Sequence, residues 1–292
     1  MPDKRPRGYQ PDWQPRLHTL ELLASIEAIL DRYAGHLPIS IRQAFYAAVS
    51  ADVLPKTERA YKRLVEVLGM ARRSGRIPWE VIRDDSGARA ESPLAFAGPM
   101  AFRAAMYRAA ESYRRDRQEG QPVRLELWCE AVGMVEQLAR LAGPYSVPVF
   151  SGGGFDSLPG KRAAALRAAR DPRGLCILHV GDLDPSGTHL PRALAEDVAA
   201  FAAAHGGRSE LVRVAVTEAQ VERYELPVAP TKATDRRSFT AAGTTQAEAL
   251  PPDILAQLVQ VAIEERRDTA VHEAVLQQEA VEREQLLSEL ER

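Results

Sequence analysis

The residues best suited to chemistry in this 292-residue chain are Asp182 and Asp184, two positions apart in the run LCILHVGDLDPSG at 175–187. An apolar strand that stops at Asp-x-Asp, followed by Pro and Gly, crowds two like charges at one strand end. Such a pair repels itself, and a hard divalent cation relieves it; oxygen-only ligation suits magnesium, with manganese as the alternative ion. A second apolar run, LELWC, ends directly in Glu130. If the two runs are neighbouring parallel strands, Glu130, Asp182 and Asp184 meet at one edge of a sheet. The plainer reading of the Asp pair, a loop start and a helix cap, is common at strand-to-helix junctions.

A second pair stands near the front of the chain. In IRQAFY, Arg42 and Tyr46 are four residues apart and therefore neighbours on one helix face. There a guanidinium can hold a phosphate and favour the phenolate of a group whose free pKa is about 10. Tyr46 as a packing aromatic and Arg42 as a solvated charge is the alternative. Weaker signals are the SGGGF turn at 151–155, which lacks Walker spacing, and the polar loop TKATDRR at 231–237. His179 and His189 flank the Asp pair and read as structural, and no Ser-His-Asp or Cys-His triad pattern is evident.

The elements that must position these groups follow from periodicity. Apolar residues at helical spacing predict helices over 17–33 and 40–50, and Thr57 caps a third. In the third, Arg59, Lys62, Arg63 and Arg73 project away from the apolar side. The stretch GRIPWEVIR, stopping at Asp84-Asp85-Ser86-Gly87, suggests a short hairpin, and helices followed by a hairpin suggest a winged helix. A polar helix over 99–117 leads to a change of texture near 120. Beyond it, four strand-like runs at 123–129, 147–150, 174–180 and 210–216 alternate with helical patterns. That alternation predicts a mainly parallel sheet covered on both faces, with functional groups at the carboxyl ends of its strands. From Asp253 onward, a chain without Gly or Pro predicts one or two long helices that cover the sheet or pair two subunits.

Composition limits the classes. With 45% hydrophobic, 27% charged and 6% aromatic residues, the chain reads as globular, with about two domains by the length prior. The uncharged run at 141–155 is too short and too broken by Pro and Gly to span a bilayer. The basic start lacks an apolar stretch behind it, and Cys129 and Cys176 offer neither a disulfide framework nor a zinc spacing. A cytoplasmic, nucleoid-associated protein with no membrane partner is expected. The net charge of −2 conceals a split, since residues 1–120 hold 20 Lys and Arg against 15 Asp and Glu, and the remainder 18 against 25. A basic front suits a polyanion, and an acidic back suits a carboxylate site.

On these motifs, residues 121–250 resemble a toprim domain, the metal-binding unit shared by topoisomerases, primases and some nucleases. GDLDPSG is most similar to the D-x-D-P-x-G run of the A subunit of type IIB topoisomerases and its relative, the meiotic double-strand-break protein. The stretch from RQAFY through RRSGRIPW looks closest to compact, stand-alone bacterial and mobile-element relatives of that subunit. Ala131 stands where that family usually places Lys. The resemblance implies an α/β chain with four parts: an extension (1–16), a mainly helical, CAP-like winged-helix domain (17–120), a Rossmann-like toprim domain (121–250) and a C-terminal helical tail (251–292). It implies that Tyr46, assisted by Arg42, attacks double-stranded DNA to give a 5'-phosphotyrosyl bond and a free 3'-hydroxyl. Glu130, Asp182 and Asp184 would hold Mg2+ or Mn2+. Tyr46 of one subunit would work with the metal site of the other in a homodimer, and a separate ATPase B-type subunit would drive strand passage. Lys56, Arg59, Lys62, Arg63, Arg72, Arg73, Arg76, Lys161 and Arg162 are the expected DNA phosphate contacts. The alternatives are a toprim nuclease in which water replaces Tyr46, and a non-catalytic DNA-binding protein.

Overall fold

The computed structural model describes residues 9–83, 94–151, 158–230 and 243–291. The turn expected at 84–87, the glycines at 152–154 and the polar loop at 231–237 lie outside them. Three helices open the chain. α1 (Leu17–Arg32) buries Leu22, Leu23, Ile26, Ile29 and Leu30. Before α2 (Ile41–Ser50), the Ser40 hydroxyl accepts from the Gln43 amide, and the Gln43 side chain accepts from the Ser40 amide. This reciprocal cap fixes where α2 starts. α3 (Glu58–Arg73) is capped by Thr57 and buries Ala60, Leu64, Leu68 and Ala71. The three helices share one apolar core with Ile39, Ile77 and Ile82.

Of the expected hairpin only the first arm is described, and it has a partner that the sequence did not indicate. Trp79–Val81 forms a 3-10 turn, and β2 (Ile82–Arg83) runs parallel to β1 (Ile39–Ser40). Pro78, which has no amide donor, immediately precedes that turn. α4 (Pro99–Glu111) ends six residues before the expected Arg117. The Ser112 hydroxyl bonds back to the Arg108 carbonyl, and the chain then lays Arg115 and Arg117 on Glu282 and Glu279.

The second half is a four-stranded, all-parallel sheet in the order β4-β3-β5-β6, formed by β3 (Arg124–Cys129), β4 (Val149–Ser151), β5 (Leu175–Val180) and β6 (Ser209–Ala215). All six residues of β5 are buried, as expected for a strand covered on both faces. On one face, α5 (Val135–Ala142) contributes Leu138 and Ala142, and α9 (Pro252–Glu264) contributes Leu255, Val259 and Ile263. On the other, α6 (Leu158–Arg170) contributes Ala164, Ala165 and Ala168, and α7 (Pro185–Ala204) contributes Leu194, Val198 and Ala202. α8 (Glu218–Arg223) follows β6. The stretch beyond 251 is therefore two helices with separate tasks, since α9 completes the sheet core while α10 (Thr269–Leu290) packs against α4.

The helical module and the sheet are joined by polar contacts. The Gln43 side chain donates to Gln137 of α5, Arg83 donates to the Gly133 carbonyl at 2.6 Å, and Arg140 donates to the Leu37 carbonyl at 2.7 Å. Among the described residues, no helix is long and apolar enough to cross a membrane.

Candidate functional site

The strand order places a topological switch point between β3 and β5. From β3 the chain crosses outward to β4 on one side, then returns past β3 to β5 on the other. In open parallel sheets the crevice at the carboxyl ends of two such strands is left clear by the diverging connections and is where ligands bind. Glu130 leaves the end of β3 and Asp182 the end of β5, so the sequence-predicted acidic residues fall at this crevice.

Local hydrogen bonds draw the two strand ends together. The Asp182 amide donates to Glu130 Oε2 at 2.9 Å, and Asp182 Oδ1 accepts from the Ala247 amide at 2.8 Å. Burial raises the Glu130 carboxyl above its ordinary range. The Asp182 amide and Arg213 oppose that rise, while Asp182 and Asp184 add to it. Asp182 is raised in the same way, by burial first and then by Asp184, against the Ala247 amide, Arg213 and Arg42. Glu130 and Asp182 thus sit partly desolvated beside further negative charge. Among the described residues, no three acidic, histidine or thiol side chains converge closely enough to form a ready ion cage. Their donor chemistry does fit magnesium: oxygen ligands whose crowded charge a cation would relieve.

The turn 246–248, which sequence reasoning did not single out, connects this crevice to α2. Tyr46 donates its phenol proton to Gln246 Oε1, the Ala247 amide holds Asp182, and Glu248 Oε1 lies 3.9 Å from Arg42 Nη1. Arg42 and Tyr46 are therefore brought to the acidic crevice of their own chain. Tyr46 is only 6% exposed. Burial pushes its pKa up to about 12; Arg42 pulls it down, and Glu248 and Asp182 push it further up. Burial works against the Arg42 charge, but Glu248, Tyr61 and Tyr46 hold it above the usual guanidinium range.

The predicted phosphate contacts divide by surroundings. Arg59, Arg63, Arg76 and Arg162 are exposed, as is Lys62, which pairs with Glu58 at 2.7 Å. Arg72 stacks on the Trp79 ring at 4.4 Å, and Arg73 is partly exposed. Lys161 is paired with Asp197 at 2.6 Å. Lys56 is half-buried, donates to the Pro227 carbonyl at 2.9 Å and lies 5.4 Å from the Tyr46 ring. It thus ties the start of α3 to the site.

Behind the acidic residues lies a row of polar groups, buried at Trp128 and His179 and partly buried at Arg213. Trp128, His179 and Arg213 are lateral neighbours on β3, β5 and β6. His179 is 4% exposed, and burial, followed by the Arg213 charge, drives its pKa down to about 3. Its Nδ1 lies 3.2 Å from Arg213 Nη1. Because a guanidinium can only donate, Nδ1 accepts and the ring proton sits on Nε2, the nitrogen 3.9 Å from Glu130 Oε1. Arg213 had one sequence signal, a lone basic residue inside the apolar strand pattern ELVRVAV. Gln246 and Glu248 had none. No protein-family model, curated protein or solved structure matches this chain.

Proposed function

We propose that this chain binds DNA and cleaves a phosphodiester bond at the acidic crevice in a magnesium-dependent reaction of the toprim type, with water as the nucleophile. The observation that carries the reading is the place of Glu130, Asp182 and Asp184: three carboxylates just past the carboxyl ends of the two strands flanking the switch point. Glu130, Asp182 and Asp184 would hold Mg2+ or Mn2+, which supplies charge neutralisation on the phosphate under attack. Arg42, 44% exposed at its side chain beside Glu248, is placed to bind a phosphate oxygen. The exposed cations of α3 and Arg76 suit duplex backbone contacts that position DNA without reading its sequence.

Water is preferred as the nucleophile because the Tyr46 hydroxyl is enclosed, bonded to Gln246 and resistant to ionisation. A second reading is favoured by a different observation, that Arg42 and Tyr46 share one face of α2 and both couple to Asp182. In that reading Tyr46 leaves Gln246 and attacks DNA, giving a 5'-phosphotyrosyl bond and a free 3'-hydroxyl. A homodimer that cuts both strands and a separate ATPase subunit belong to this second reading.

Incubation of the protein with supercoiled plasmid and magnesium or manganese, followed by denaturation and separation of protein-linked DNA, tests both. The first reading expects nicked or linear DNA free of protein, equal cleavage by Tyr46→Phe, and loss of cleavage in Asp182→Ala/Asp184→Ala. DNA trapped covalently on the wild type but never on Tyr46→Phe replaces it with the second. Intact plasmid with either ion overturns both and leaves a non-catalytic DNA-binding protein, whereas full cleavage by the double alanine variant overturns both by moving the cleaving site away from the crevice.

A further inference from the structure

Edge strand β6 carries one arginine, Arg213, opposite His179 of β5, and the contacts of that side chain lead to the acidic crevice. We propose that Arg213 is the positioning residue of the crevice, clamping the backbone segment from which Asp182 and Asp184 project. Its Nη2 donates to the carbonyls of Gly181 at 2.9 Å, Asp182 at 2.6 Å and Val216 at 3.2 Å. Its Nη1 contacts His179 Nδ1 at 3.2 Å, which anchors the guanidinium plane from below.

The clamp answers a specific need. Past Val180 the segment leaves the sheet ladder, and its last ladder-like bonds are Gly181 N–H to the Ala215 carbonyl and Val216 N–H to the Gly181 carbonyl, both 2.8 Å. The carbonyls that turn inward at this point are buried and must find donors. Nη2 reaches three of them while Nη1 holds His179, and the single nitrogen of a lysine, without that fork, cannot serve both sides at once. Gly181 closes the segment from the other side, since a Cβ there would lie 2.6 Å from Glu130 Cδ and from His179 Cε1. The segment is thus held between Arg213 and Glu130. Its charge also faces Glu130, Asp182 and Asp184, and those carboxylates offset the cost of burying it.

The inference rests on the reading of the crevice as the working site, and the experiment separates the two. Arg213→Met and Arg213→Lys are compared with the wild type by amide hydrogen exchange without metal and by binding of Mn2+ alone, followed by its electron paramagnetic resonance signal. Arg213→Met is expected to raise exchange at Gly181, Asp182 and Leu183 while β3 and α2 keep their protection, and to weaken Mn2+ binding about 10-fold or more, the effect usual for a lost supporting contact. Arg213→Lys keeps the charge without the fork and is expected to fall between. Simple electrostatics predicts the opposite sign, because removing a cation strengthens binding of another. Unchanged or tighter Mn2+ binding in Arg213→Met therefore overturns the proposal, even where exchange rises. If Arg213→Met fails to fold, Arg213→Lys decides: wild-type Mn2+ affinity and wild-type exchange at 181–183 overturn the clamp. Separately, Mn2+ binding that survives Asp182→Ala/Asp184→Ala shows that the reading of the crevice has failed, while the exchange data still judge the clamp.

Discussion

Strand β3 holds Glu126 and leads directly into Glu130, four residues on, and their surroundings could hardly differ more. Glu126, 3% exposed on the α6 side of the sheet, receives Arg167 at both oxygens, at 2.6 and 2.9 Å, and the Trp128 indole at 2.9 Å. Its charge is matched and its lone pairs are filled. Glu130, one residue past the strand, has a backbone amide, a distant histidine and two neighbouring aspartates. The first arrangement is a completed ion pair that holds α6 to the sheet. The second crowds negative charge that Arg213 only partly offsets. Similar side chains on one stretch of chain thus differ in how fully their charge is met, and on the proposed reading that difference separates a structural from a chemical role.

The sharpest way to break this comparison is to remove the charge from one member of each group. Asp182→Asn keeps an oxygen for the Ala247 amide but loses the carboxylate, so cleavage is expected to fall about 10³-fold, with the thermal midpoint unchanged or slightly higher. Glu126→Ala should do the reverse. It leaves the Arg167 guanidinium and the buried Trp128 N–H without their acceptor, which costs about 3 kcal/mol, while cleavage below the melting temperature stays at the wild-type rate. Chemical denaturation and a plasmid-nicking assay on the same two proteins measure both halves. Equal loss of stability in both variants would erase the distinction.

Acidity offers a second, smaller test. Glu130 and Asp182 both have folded-state pKa values above their unfolded ones, so the native state holds their protons more tightly. Their contribution is therefore fully present at pH values below about 4, the unfolded range, and is lost as pH rises through the folded values. Glu130→Gln should flatten this decline and be more stable than wild type near neutrality. Added Mg2+ should flatten it in the wild type as well. Glu279, lowered chiefly by its hydrogen bond from Arg117, changes stability in the opposite direction, so the difference between variant and wild type isolates the crevice. Parallel stability curves for the two proteins from pH 4 to 8 would contradict the crowding of charge at Glu130.

Much of this arrangement was legible beforehand, for physical reasons that differ by element. The four apolar runs and the helical spacings between them mark strands and helices because burial on two faces leaves few polar positions, and the carboxylates at the run ends mark the sheet edge. Ser40 and Thr57 mark helix starts because their hydroxyls satisfy orphan amides. In the stretch 75–83 alternation says that a segment is extended, not which partner it takes, so the pairing of β2 with β1, some forty residues earlier, was not legible. The 99–117 helix was read too long because propensity does not register that Arg115 and Arg117 gain more from Glu282 and Glu279 than from another helical turn. The turn 246–248 was invisible, since its role depends entirely on contacts with residues about 65 and 200 positions away.

The smallest effects belong to the cations, where the same contrast recurs. Arg167 and Arg213 are committed to partners in the fold, whereas Arg59 and Arg63 stand exposed on α3. If the exposed pair meets DNA phosphates, each releases about one counterion on binding, and replacing either by alanine lowers the slope of log affinity against log salt by about 1. Binding should weaken evenly across DNA sequences, because phosphate contacts carry no base information. Arg167→Ala should instead lower stability and leave the salt slope alone. Fluorescence anisotropy with two unrelated duplexes, from 50 to 200 mM salt, reads these outcomes directly. A slope that is the same in Arg59→Ala, Arg63→Ala and wild type would move the DNA-binding face away from α3, and the acidic crevice would then need another surface to deliver its substrate.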